Sequence, residues 1–263
     1  MRLSIVLITL NEEANLARTL ASLAILRERV EAELIVIDSG STDRTREVAE
    51  SFGARVIREP WRGFGAQKNF ALEQATGHWV LSLDADEELE PELAAGIANV
   101  ATAGALSEAD APAAYYLRRK NHFLGRWMRH GGYWPDPKLR LFRRGVNHEA
   151  RFEDRAVHES LRVSGRTAIL TPGAILHHCY PTLSDYIEHM NRYSTLGAEM
   201  ARTAGRPARV RDLVLRPLAT FFYNYVVRLG FLDGREGFLQ HASHAIYVGW
   251  KYAKLWEKQQ AGR

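Results

Sequence analysis

Two aspartates stand two positions apart at the end of an apolar run, Asp84 and Asp86 in W-V-L-S-L-D-A-D-E-E. Residues i and i+2 of an extended strand point to the same side. The pair therefore predicts two carboxylates on one face, one to hold a ribose hydroxyl and one to bind a metal bridging a diphosphate. Two more polar clusters close earlier apolar runs: Thr9, Asn11 and Glu12 after L-S-I-V-L-I-T-L, and Asp38, Ser39, Ser41 and Asp43 after L-I-V-I-D. Oxygen ligands of this kind suit Mg²⁺ or Mn²⁺. Any one acidic strand end is ordinarily a helix cap, and Glu87 and Glu88 read that way, as helix-start charges favoured by the macrodipole. Three such ends point to a ligand.

The elements that must position these residues follow from periodicity. Residues 3–10, 34–38, 54–58 and 78–84 read as buried strands. Between them run helices: one capped by Asn11 with Leu16, Leu20 and Leu23 on one face, one capped by Ser41 or Thr42 through about Phe52, and one over 66–75; a further helix begins near Pro91. This alternation implies an α/β fold with a mainly parallel sheet flanked by helices, in which ligands sit at the carboxyl ends of the strands. Residues 114–119, 138–143 and about 167–177 read as further strands. After Pro181 the pattern is helical over 183–203, about 210–230 and 235–258, with Pro217 arguing for a break or a start. Domains are expected at 1–180, catalytic, and 181–263, a helical C-terminal extension.

The chain has 263 residues and 46% hydrophobic composition, which excludes disordered, collagenous and coiled-coil classes. The single Cys179 excludes a disulfide framework and a multi-cysteine zinc site, and suits a reducing, cytoplasmic compartment. No apolar run is long enough for a secretory leader or a spanning helix. Net charge is −7 over residues 1–100, +4 over 101–200 and +7 over 201–263. An acidic front suits a site for a divalent cation, and a basic tail suits an anionic surface. The tail's arginines are spread through apolar helices, so no nucleic-acid partner is expected. The chain carries no G-x-G-x-x-G after the first strand, no P-loop and no G-x-S-x-G elbow.

With V-L-I-T-L-N-E-E-x-N-L, V-I-D-S-G-S-T-D-x-T, G-x-x-x-x-K-N at 63–69 and L-S-L-D-A-D-E in order, the sequence resembles the family 2 inverting glycosyltransferases of GT-A fold. The resemblance implies a nucleotide-sugar donor and a divalent cation, Mg²⁺ or Mn²⁺. It places Thr9, Asn11 and Glu12 at the base and ribose, Asp38 and Ser39 at the base, and Lys68, where many relatives have Arg, beside the same pocket. It sets Asp84 against the ribose and Asp86 against the metal. An inverting transfer needs a carboxylate to deprotonate the acceptor hydroxyl. V-H-E-S at 157–160 resembles the family's position for that base, which makes Glu159 the base, with Asp154 and Glu153 as alternatives. A late histidine completes the metal shell in many relatives. L-H-H at 176–178 offers His177 or His178, of which a strand would aim only one inward, and His158 competes with them.

Residues 121–137 form the acceptor-side candidate. Gly131 and Gly132 allow close backbone approach, Tyr133 and Trp134 with Trp127 can stack on sugar rings, and Arg126, Arg129 and His130 can hold phosphates; the plain alternative is a loop packed inward on its aromatics. This stretch, with G-F-L-D-G-R-E-G-F and Y-A-K-L-W-E near the end, resembles bacterial lipopolysaccharide core β-1,4-glucosyltransferases. That resemblance implies UDP-glucose as donor and a heptose of the lipid-anchored inner core as acceptor. The alternatives are a transferase to polyprenyl phosphate or another glycan, or a non-catalytic nucleotide-sugar binding or scaffold protein. The aromatic, arginine-rich C-terminal helices suit either an anionic membrane interface on the cytoplasmic face of the inner membrane, or a bundle that packs or forms a homo-oligomer.

Overall fold

The computed structural model describes residues 2–103, 111–145, 150–153 and 160–261. Contacts divide the chain into two compact units. Unit one is Met1–Arg119 with Pro137–His177, and unit two is Lys120–Asp136 with His178–Arg263. The segment 120–136 thus groups with the C-terminal helices and not with the sheet that precedes it.

Unit one begins β1 (Leu3–Thr9), α1 (Glu13–Ala21), α2 (Ala24–Arg29), β2 (Ala32–Asp38), α3 (Thr45–Ser51), β3 (Arg55–Arg58), α4 (Phe64–Gln74), β4 (Trp79–Asp84), β5 (Glu87–Leu89), α5 (Pro91–Thr102) and β6 (Ala114–Leu117). Then come β7 (Arg119–Phe123) and β8 (Arg126–Trp127), followed by β9 (Lys138–Arg143), β10 (Ala150–Glu153), β11 (Ser160–Val163), β12 (Thr167–Ile169) and β13 (Ile175–Tyr180). The main sheet runs β12-β6-β9-β4-β1-β2-β3. β3, β2, β1 and β4 are parallel, while β9 is antiparallel to both β4 and β6. The sheet is therefore parallel where the first strands build it and mixed beyond β4.

Period-2 alternation sorts the core. Leu3, Ile5 and Leu7 of β1, with Leu81 and Leu83 of β4, pack against Leu16, Leu20, Leu93 and Ile97 of the helices. Val6 and Val80 face the other way, onto Ala71 and Ala75 with Ile35, Ile37 and Phe142. Each fully buried Leu or Ile contributes about 1.5–3 kcal/mol. α4 departs from this rule, since its buried face carries Gln67 and Lys68.

Several local expectations change. Asn11 takes a left-handed φ of 56° and caps nothing. Asp43 does the capping instead: its carboxylate accepts the N–H of Glu13 at 3.1 Å, starting α1, and that of Thr45 at 3.0 Å, starting α3. Ser41 is unavailable as a cap because its hydroxyl donates to Asp38. The stretch 167–177 is two strands separated by Pro172 and Gly173. Glu87 and Glu88 lie in β5, and Glu87 is wholly buried.

In unit two, β7 and β8 form a short hairpin, with His122 opposite Trp127. The helices are α6 (Leu183–Thr203), α7 (Val210–Phe222), a π turn (Tyr223–Val227), a 3₁₀ turn (Gly230–Asp233) and α8 (Gly234–Ala261). Thr182 and Asp185 close a capping box at the start of α6. Pro217 lies inside α7 and ends nothing. Phe123, Met128 and Tyr186 are buried together, which ties the hairpin segment to α6. No described helix is long and apolar enough to cross a membrane.

Candidate active site

Strand register brings the predicted polar ends to one edge of the sheet: Thr9 is level with Asp38, and Ile8 with Asp84. Asp38 is buried and engaged by its own loop. It accepts from the N–H groups of Gly40 at 3.2 Å and Ser41 at 3.1 Å, from the Ser41 hydroxyl, and from Thr9 Oγ1 at 3.4 Å. Asn11 joins the first two loops: its Oδ1 accepts the Thr42 N–H at 2.8 Å, and its own N–H donates to Ser41 Oγ at 2.9 Å. Ser39 Oγ accepts from the buried Gln67 at 3.1 Å, and Gln67 also donates to the Glu59 carbonyl at 3.0 Å. Gln67 was not singled out in the sequence. The signal was available, as a polar residue one position before Lys68 on the buried face of a helix.

The two aspartates of D-A-D part company. Asp84 is held by Lys68 Nζ at 2.7 Å and by Arg140. Arg140 also reaches Glu87 at 2.8 Å, Arg119 meets Glu87 at 3.1 Å, and Glu87 accepts the Asp84 N–H at 3.0 Å. Burial raises the Asp84 carboxyl's pKa, but the charges of Arg140 and Lys68 outweigh it and hold the group well below the usual carboxylate range. Arg140, Glu87 and Arg119 were not expected. Arg140 interrupts the apolar strand K-L-R-L-F, which marks the position but not its partners.

Asp86 meets His177 instead, Oδ2 to Nε2 at 3.2 Å. Burial raises the Asp86 carboxyl, and His177 by charge and hydrogen bond brings it net below its ordinary value. His177 stands opposite Glu87 in the antiparallel pair of β13 with β5. Strand alternation sends His178 the other way, where it stacks on His122 with ring centroids 5.1 Å apart. Glu12 belongs to the same electrostatic neighbourhood. Burial raises its carboxyl, Asn15 opposes that by a hydrogen bond, and the negative charges of Asp86, Asp43 and Asp84 raise it further.

This donor set fits a hard divalent cation. A carboxylate and an imidazole stand in contact, with Glu12 close enough for the Asp86 charge to add to the larger effect of burial on it. Among the described residues no three or more His, Cys, Asp or Glu side chains group closely enough to hold a metal by themselves. One or two protein ligands, completed by substrate phosphates and water, is the ordinary Mg²⁺ arrangement.

Glu159, Asp154 and His158 lie outside the described residues. The strand before them is anchored to α4: Asn69 exchanges two hydrogen bonds with the backbone of Phe152 in β10, at 2.9 and 2.8 Å. Glu153 accepts from the Ser160 hydroxyl at 2.9 Å and pairs with Arg162.

The acceptor-side candidates all lie in unit two. His130 is clasped by Asp233, through its N–H at 2.8 Å and its ring Nδ1 at 2.9 Å. Tyr133 accepts from Gln240 at 2.5 Å, and burial pushes its hydroxyl to about 12. Arg126 faces Glu236 at 3.4 Å, Arg129 lies 4.6 Å over the Trp127 ring, and Trp134 meets the edge of Trp127 at 5.3 Å. Gly131 and Gly132 have φ of 66° and 90°. The space their side chains would fill is taken by His241 and Arg228, so the glycines admit protein side chains.

Residues 4–154 match the family model described as glycosyl transferase family 2. The chain belongs to this family. This glycosyltransferase is 32% identical to the lipopolysaccharide core biosynthesis glycosyltransferase LpsC of Rhizobium meliloti, over 97% of this chain and 92% of that one. It is 28% identical to an uncharacterized glycosyltransferase of Rickettsia typhi, over 97% and 87%. Among solved structures it is similar to the mannosyltransferase PcManGT from Pyrobaculum calidifontis in complex with GDP-Man and Mn²⁺, with a TM-score of 0.56, 16% identity, and coverage of 97% and 87%. That likeness shows the fold, which is GT-A.

Proposed function

We propose that this glycosyltransferase is a divalent-metal-dependent inverting hexosyltransferase that moves glucose from UDP-glucose onto a heptose of the lipopolysaccharide inner core. One observation carries the donor half: Asp86 and His177 stand in contact at 3.2 Å at the strand ends where Asp84 and Glu12 also gather. The acceptor half is supported by likeness to LpsC, whose name places it in lipopolysaccharide core biosynthesis.

In this reading Asp86 and His177 hold the cation, Mg²⁺ or Mn²⁺, which when bound neutralises charge on the departing diphosphate. Lys68 and Arg140 keep Asp84 ionised and fixed, ready to accept a hydrogen bond from a ribose hydroxyl. Thr9, Asn11, Glu12, Asp38 and Ser39 shape the base side. Glu159 takes the proton from the acceptor hydroxyl as its oxygen bonds to the anomeric carbon and UDP leaves from the opposite face. Arg126, Arg129, His130, Tyr133 and Trp134 form the acceptor side, on a loop whose Gly131 and Gly132 make room for His241 and Arg228.

The test is thermal shift with UDP-, GDP- and ADP-sugars, with and without Mn²⁺ or Mg²⁺, followed by transfer to a heptose-terminated glycan. UDP-glucose should stabilise the wild type only with metal. Asp86→Ala and His177→Ala should lose that stabilisation, while Glu159→Gln should keep it and lose transfer by about 10²–10⁴-fold. Undiminished transfer by Asp86→Ala and Glu159→Gln would overturn the site. A response confined to another nucleotide would overturn the donor.

A further inference from the structure

α7 is apolar on two sides. Leu213, Pro217 and Phe221 face α8 and, with Phe238, Ala242 and Gly249, line a groove of about 590 Å³. The adjoining side, which meets the groove at Leu218, repeats an apolar residue every fourth position, Val210, Val214, Leu218, Phe222 and on to Val226, and all are exposed. Val210 is 75% exposed, Leu218 62% and Phe222 59%. Val227, Leu229, Phe231 and Leu232 extend the exposed apolar surface through the two turns, and Phe238 and Leu239 continue it into α8. An exposed apolar patch of this extent marks an interaction surface.

The charges on the same stretch decide what covers it. Residues 206–235 hold six arginines, 206, 209, 211, 216, 228 and 235, and every one is exposed. The stretch holds two acids, Asp212 and Asp233, and both are buried, the first on Arg216 and the second on His130. The surface therefore presents apolar side chains rimmed by cations, and the next acid along the chain, Glu236, is half-buried and faces Arg126. A second copy of the chain would set arginines against arginines, a costly juxtaposition. An anionic bilayer answers both features, taking the apolar side chains at the acyl boundary and the guanidinium groups among its phosphates.

We propose that residues 210–239 are a membrane-docking surface that seats on an anionic bilayer. The inference stands apart from the donor and acceptor reading, because none of its residues is assigned to nucleotide-sugar binding.

The test is flotation of the full chain with phosphatidylcholine vesicles, with and without phosphatidylglycerol, alongside sedimentation of the protein alone. The wild type should float with phosphatidylglycerol vesicles and far less with phosphatidylcholine alone, and added salt should weaken binding. L218E/F222E should bind at least about fiftyfold more weakly. R211Q/R235Q should lose roughly fivefold per arginine, and only on anionic vesicles. Both variants should melt like the wild type, and the arginine pair keeps the test open should the glutamate pair misfold. Failure of the wild type to float would overturn the proposal, as would equal flotation by a folded L218E/F222E. So would a dimer that L218E/F222E dissociates in a protein that does not float.

Discussion

Arg140 is the residue on which the buried charges at the D-A-D strand end depend. It is 6% exposed and serves two carboxylates, Asp84 and Glu87. Arg140→Met should leave each carboxylate one partner short, and breaking a buried pair costs about 3–5 kcal/mol. Urea unfolding should report a loss of that order, with Arg140→Lys falling between, since a point charge cannot match two carboxylates as a planar fork does. That only one of His177 and His178 turns toward Asp86 was legible, because a period of two residues governs which side a strand residue takes. The partners were not legible. D-A-D read as a pair on one face, yet the chain turns after Asp84, so Asp84 meets Lys68 and Arg140 while Asp86 meets His177. Glu87 reads in the sequence as a helix-start charge near Pro91, but the short strand β5 intervenes and buries it.

At the scale of elements, the loop around Gly131 and the start of α8 are built on one histidine. His241 is buried, and a Cβ on Gly131 would lie 2.1 Å from its Nε2. Gly131→Ala adds a left-handed strain to that overlap and should cost about 3 kcal/mol or more. His241→Ala makes room without relieving the backbone, so the double variant should lose less than the two single losses combined, as read by a denaturation cycle. Burial, aided by the charge of His244, also lowers His241 to about 4. A histidine depressed in the folded state contributes stability that is whole above its unfolded value, about 6.5, and is lost as pH falls toward the folded one. Unfolding free energy should therefore decline from about pH 6.5 to pH 4 in the wild type, and less steeply in His241→Phe. The helix spans of unit two were readable from apolar periodicity; α6 runs over 183–203 as expected. The loop's clasp was not readable, because Asp233 and His241 lie about a hundred residues away in sequence from His130 and Gly131.

For the whole molecule, charge and apolar surface are segregated along the chain. The first hundred residues carry −7 and hold the acidic strand ends, while the last 63 carry +7 and hold the exposed apolar stretch. On the proposed reading, that separation would let one protein gather a cation-bearing donor without repelling an anionic surface. If the acceptor is lipid-anchored, docking confines enzyme and acceptor to one plane and converts encounter into a local event, which can raise apparent affinity by roughly 10²-fold or more with no new contact at the reacting atoms. The consequence is kinetic and separable from chemistry. A heptose-terminated glycan displayed on phosphatidylglycerol vesicles should be glucosylated with a far lower KM than the same glycan free in solution. In L218E/F222E the two KM values should converge, while kcat on the soluble glycan and metal-dependent hydrolysis of UDP-glucose should match the wild type. Equal preference for the vesicle-borne acceptor in both proteins would place the advantage in the lipid part of the acceptor itself, and would remove docking from the account of turnover.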